Sequence, residues 1–170
     1  MEKYQTFSAR FWALTLDSIL LLPLGILQEL IKSAEYSENL KWILFFIVNL
    51  AEIIYFIVMH GLFGQTVGKM LAKVKVLDVS EAPIKFRQAV LRDAPQLLFT
   101  VCSYSFLYPL TPADIQVNSI ALWKIPFLFL ILAWGVADLV VFFTNDKRRA
   151  LHDYIAGTVV VRINQDSDAR

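Results

Sequence analysis

The stretch SARFWALTLDSILLLPLGILQELI, residues 8–31, decides the fold. A bilayer-spanning helix takes about 20 mostly apolar residues, and this stretch supplies them with only Arg10, Asp17 and Glu29 charged. Three more apolar stretches follow at about 42–62, 94–110 and 120–144. The third is short, with Pro95 near its start and Pro109 near its end. Proline suits a first helical turn, where its missing N–H has no partner to lose. The whole 170-residue chain is 57% hydrophobic and 18% charged, with a mean hydropathy of +0.55. Soluble domains run about 45–50% apolar and about 25% charged. A single soluble domain cannot bury that much apolar surface, so an ordinary cytosolic enzyme is excluded. A disordered chain and a coiled coil are excluded too, and one cysteine excludes a disulfide-stapled secreted domain. The net charge of +1 gives no electrostatic argument for nucleic acid.

The basic residues set the topology. Lys3 and Arg10 precede or open the first stretch. Lys69, Lys73, Lys75, Lys85, Arg87 and Arg92 lie between the second and third. Lys147, Arg148, Arg149, Arg162 and Arg170 follow the fourth. Four spans thus put thirteen of the sixteen cations on one side, against Lys32 and Lys41 on the other. The remaining Lys124 snorkels from the outer end of the fourth span. The positive-inside rule then predicts a multi-pass protein with both termini cytoplasmic. Three spans would leave the C-terminal basic run outside. The length of the first stretch, the acid within it and the lack of a following small-residue cleavage site predict a retained helix rather than a signal peptide. Neither a lipidation motif nor an internal repeat is found. The expected fold is an all-α membrane protein, a four-helix transmembrane bundle with a small cytoplasmic β-sheet, forming one domain.

The cytoplasmic segment 63–92 opens FGQTVGKMLAKVKVLDV. Residues 66–72 read as a short interfacial helix. Residues 73–79 alternate and read as a strand. Residues 80–83 make a turn, and 84–86 read as a second short strand. The tail 145–170 contains the β-branched run GTVVVRI at 157–163, a third strand.

Four motifs, RFWALTLDSILL, FGQTVGKMLAKVKVLDV, FRQAVLRDAP and LHDYIAGTVVV, occur in this order. Together they resemble the RDD family of small bacterial membrane proteins, over about residues 9–161. That family is named for an arginine and two aspartates. Its arginine falls on Arg10 and its first aspartate on Asp17; the later one falls on Asp93, with Asp153 as the rival position. The glycine-lysine motif falls on Gly64, Gly68 and Lys69, and the last motif on His152, Asp153 and Gly157. The resemblance implies a bacterial inner-membrane protein, and transport, with cation/proton antiport described for some members. It supplies no substrate.

Arg10 and Asp17 are seven residues apart, nearly two turns, and so share one helix face with Asp17 roughly 10 Å deeper. A carboxylate at mid-membrane costs about 2.5–3.5 kcal/mol on insertion scales, so Asp17 is expected to face the bundle interior. Pro23 loosens the helix just beyond it. Asp138 lies at comparable depth in the fourth span and Glu52 near the middle of the second. Three carboxylates meeting there would share a proton or a monovalent cation. The alternative is that Arg10, Arg92 and Lys69 pair with Asp17, Asp93 and Asp138 to lock helix register. Asp17 is expected opposite Asp93 or Asp138, within reach of Arg10 or Arg92. Asn49 and Glu52 share a face, as a polar path or a single interhelical bond. His60 reads as interfacial and Cys102 as packing.

GQTVGKM is not a P-loop, since its glycines are too close and Met70 follows the lysine. Two histidines make no metal site, so His152-Asp153 reads as capping or ion pairing. No nucleophile stands beside a base, and neither enzyme chemistry nor a cofactor is expected. Two functions remain. One is proton-coupled exchange of monovalent cations. The other is a non-catalytic membrane module that binds a partner or supports assembly, with the lipid bilayer, a membrane protein or a second copy as its contacts. A cavity reaching Asp17 favours the first; a dry, fully paired cluster favours the second.

Overall fold

The computed structural model describes residues 2–107 and 124–163. A 3-10 turn at Glu2–Tyr4 leads into helix α1 (Phe7–Ser33), then α2 (Glu38–Phe63) and the short α3 (Val67–Leu71). Strand β1 (Val74–Asp78), α4 (Phe86–Leu107), α5 (Lys124–Thr144), α6 (Leu151–Ala156) and β2 (Thr158–Arg162) follow.

Helices α1 and α2 have 27 and 26 residues, long and apolar enough to cross a membrane. At 1.5 Å per residue each is about 40 Å long, more than a hydrocarbon core of about 30 Å. Their surfaces are inverted relative to a soluble helix. The residues that α1 buries are Ala13, Asp17 and Ile31, while Leu14, Ile19, Leu22 and Leu30 face outward. On α2, Ile43, Phe46 and Ile47 are exposed while Asn49 and His60 are buried. Continuous apolar surface of this extent is unstable in water and matches lipid. The mostly helical chain is therefore built as a membrane protein.

Elements α3, β1, α6 and β2, with the first turns of α4, form a compact head at one end of these helices. Gly64 ends α2 in the left-handed region (φ 67°), its N–H donating to the His60 carbonyl at 2.9 Å. Its own carbonyl accepts from Val76 N at 2.8 Å, which stitches β1 to the end of α2. A side chain at Gly64 would meet the Val76 carbonyl at 2.8 Å. Strands β1 and β2 pair antiparallel, with Val76 opposite Val160. Val74, Val76 and Val160 pack with Ala13 of α1, Ala89 of α4 and Ile84 to form the head's core.

Two expectations need correction. No third strand forms at 84–86: a single bridge joins Leu77 to Pro83, and Phe86 already belongs to α4. Helix α4 starts eight residues before the third apolar stretch, because Gln88 Oε1 accepts the Lys85 N–H at 2.9 Å and closes the first turn. Pro95 therefore sits inside α4 rather than in its first turn. Pro109, the loop 111–119 and the side chain of Cys102 lie outside the described residues.

Candidate functional site

Three sets of buried polar groups join the helices to the head. The first surrounds Asp17, whose side chain is sealed by α2 and α3; the residue is 2% exposed. Its Oδ1 accepts from the Tyr55 hydroxyl at 2.9 Å and from Gly68 N at 2.8 Å. Its Oδ2 accepts from the Thr66 hydroxyl. Thr66 in turn caps α3 by accepting from Lys69 N at 3.3 Å, and the Tyr55 oxygen accepts from Val67 N at 3.1 Å. Asp17 thus holds the first turn of α3 through neutral donors. Gly68 is required for this approach: a Cβ there would run into the Ala13 carbonyl and lie 2.8 Å from the Asp17 carboxyl carbon.

The second set is centred on Asp153 in α6, which is 0% exposed. Oδ2 accepts from Arg10 Nη1 at 2.7 Å and from Ala150 N at 3.0 Å, so one oxygen binds α1 and caps α6. Oδ1 pairs with Arg92 of α4 and accepts from the Thr158 hydroxyl at 3.2 Å. Arg10 also donates to the Arg148 carbonyl at 3.1 Å and lies over the Phe142 ring at 5.2 Å. Arg92 Nη2 reaches His152 Nε2 at 3.3 Å, and His152 Nδ1 lies 3.0 Å from Asp138 Oδ1. Arginine only donates, so Nε2 accepts and Nδ1–H points to Asp138. Asp138 also accepts from Leu151 N at 2.9 Å, fixing α6 to α5. Burial pushes the Asp153 carboxyl up, but the guanidinium charges of Arg92 and Arg10 outweigh it and hold the group well below the usual carboxylate range.

The third set is a chain of three groups from three helices. Lys69 Nζ of α3 touches His60 Nε2 of α2, and His60 Nδ1 lies 2.9 Å from Asp93 Oδ2 of α4. A lysine donating to Nε2 leaves Nδ1–H to donate to Asp93. Burial, then the positive charge of Arg92, lowers Lys69 to about 7.

The expected meeting of Asp17 with Asp93, Asp138, Arg10 or Arg92 does not occur. Each carboxylate has its own partners: Asp17 the start of α3, Asp93 the His60 ring, Asp138 the start of α6. Arg10 pairs across the chain with Asp153, the rival position, rather than with Asp17 or Asp93. Lys69 pairs with an imidazole, not with an aspartate. His60 is buried, not interfacial. Asn49 donates to Phe45 in its own helix at 2.8 Å, and Glu52 is half-buried and makes no hydrogen bond or ion pair to the described residues. Capping and ion pairing both occur at His152-Asp153. Gly157 closes α6 at φ 64°. Sequence reasoning missed Thr66, Tyr55 and Thr158. Thr66, one residue before a helix and three before Lys69, carries a cap signature; Tyr55 and Thr158 carry no local signal. Among the described residues no group of three or more His, Cys, Asp or Glu is placed to hold a metal ion.

No curated protein and no solved structure matches the chain. The family model described as the RDD family matches residues 4–157, which takes in the three polar sets apart from Thr158. With nearly its whole length matched, the chain belongs to the RDD family.

Proposed function

We propose that the protein is a four-span inner-membrane module with both termini cytoplasmic, whose head docks a membrane-protein partner or a second copy. The spans are 8–31, 42–62, 94–110 and 120–144, and the charged clusters are the fastening between them and the head. The observation that carries this reading is saturation. Asp17 and Asp153 are both dry, and every oxygen on them is bonded within the protein. A transported ion must exchange with solvent, and nothing at either carboxylate leaves room for one. The cavity at this end is lined by neither residue.

A second reading, proton-coupled exchange of monovalent cations, is favoured by the Lys69–His60–Asp93 chain, which joins three titratable groups from three helices. Exchange of Na⁺ or Li⁺ against H⁺ in everted vesicles separates the two. The module reading expects the same flux as vesicles lacking the protein. Flux above that control, lost in Lys69→Met, establishes the exchange reading. Cysteine labelling at Ser80 from inside and at Ser37 from outside tests the topology.

A further inference from the structure

We infer that the cavity between the start of α1, the end of α5 and β2 binds the phosphate of an anionic phospholipid. The cavity has a volume of about 370 Å³ and is lined by Phe7, Ser8, Phe142, Phe143, Arg148 and Arg162, among others. It rests on the reading of α1 and α5 as spans, which places it at the cytoplasmic membrane surface.

One wall is cationic. Arg148 donates from Nη1 to the Phe143 carbonyl at 3.0 Å, and Arg162 donates from Nε to the Gln5 carbonyl at 3.0 Å. Arg162 Nη2 reaches Ser8 Oγ at 3.5 Å. Neither guanidinium pairs with a carboxylate of the described residues, whereas Arg10 and Arg92 close by both do. A guanidinium carries five N–H donors, so each retains several for an anion. The other wall is apolar. The Phe7 ring lies 5.9 Å from Phe142 and 5.3 Å from Phe143, and Phe7 and Phe143 are both exposed.

The cationic wall is held in place by the Asp153 clamp. Arg148 has a left-handed backbone (φ 48°), a strained conformation for a non-glycine residue. Its carbonyl is held by Arg10, and its N–H donates to Asn145 at 3.1 Å. The strained turn presents the side chain to the cavity. Guanidiniums without a carboxylate partner among the described residues, facing half-exposed phenyl rings at the end of two apolar helices, match a ligand with an anionic head and an apolar body. A phosphodiester with acyl chains satisfies both walls; inorganic phosphate satisfies one.

The test uses the full chain in detergent, with native mass spectrometry reading retained lipid after addition of phosphatidylglycerol, phosphatidylcholine or inorganic phosphate. Phosphatidylglycerol is expected to be retained in preference to phosphatidylcholine. The R148Q/R162Q pair should weaken it about thirty-fold, since each cation near an anionic lipid surface contributes about fivefold. R148K/R162K keeps the charges and should retain most of the binding, which separates loss of the site from loss of the fold. K85Q/R87Q removes two exposed cations elsewhere and should change nothing. An equal loss in K85Q/R87Q would mean diffuse attraction and overturn the proposal. So would displacement of the lipid by inorganic phosphate at comparable concentration. Neither outcome depends on flux or on a protein partner.

Discussion

Replacing Asp153 by asparagine isolates the clamp. The substitution keeps the shape and one acceptor oxygen but removes the charge that faces Arg10 and Arg92. Removing one partner of a buried pair costs about 3–5 kcal/mol, because the remaining charge stays desolvated. Here two guanidiniums lose their carboxylate at once, so the loss falls in that range or above it. Against a total stability of about 5–15 kcal/mol, that is a large share of what holds the head together. For a chain of this size, roughly 2–4 °C of melting temperature accompanies each kcal/mol, so thermal unfolding in detergent should drop by about 6–20 °C. Arg10→Gln in the same background should then cost less than it does alone, with a coupling of about 0.5–3 kcal/mol. The pH dependence follows from the sign of the shift. The folded carboxyl titrates below its unfolded value near 3.9. Its contribution is complete above about pH 4 and is lost only as the pH falls through the folded value. A melting temperature for Asp153→Asn within 2 °C of wild type, as an order-of-magnitude bound, or additive costs with Arg10→Gln, would refute the clamp.

Three further outcomes are expected. Asp17→Asn removes an acceptor from neutral donors rather than a partner from a cation, so it should cost about 1–3 kcal/mol and speed hydrogen exchange at Gly68 N; unchanged exchange there would contradict the docking of α3. Gly68→Ala should displace α3 from α1 and cost about 1–3 kcal/mol, read as a lower melting temperature; a neutral effect would mean the contact with the Ala13 carbonyl is not close. Lys69 is lowered to about 7 from its usual 10.5, so the unfolded chain holds its proton more tightly and stability should rise with pH from about 7 towards 10; Lys69→Met should flatten that slope, measured as melting temperature against pH.

The two membrane-length helices α1 and α2, the glycine-lysine turn and the pairing of 73–79 with 157–163 are legible in the sequence because each is written locally, as apolar length or β-branched alternation. The absence of a strand at 84–86 is not legible, because one glutamine side chain, Gln88, decides that α4 begins at Phe86. Reading the charges is harder still. Arg10 and Asp17 stand out because they lie in an apolar run, and the seven-residue spacing places them on one face. Their partners, however, come from 51 and 143 residues away, Gly68 and Asp153. Nothing in local spacing tells Asp17 to choose two hydroxyls and a backbone N–H over an arginine. The lesson of Lys69 is similar: a lysine in an aspartate-rich setting finds a histidine, because helix α2 ends where α3 begins.

The 143-residue separation of Arg10 from Asp153 also sets an order of events in the cell. A ribosome adds about 5–20 residues per second, so Arg10 is made roughly 7–30 s before the acid that neutralises it. Through that interval its charge has no carboxylate partner from α6. Only when α6 arrives does the head close over it. The last helix among the described residues, α6, therefore acts as a latch on the first, and synthesis that stops short of Asp153 leaves Arg10 and Arg92 without their shared carboxylate.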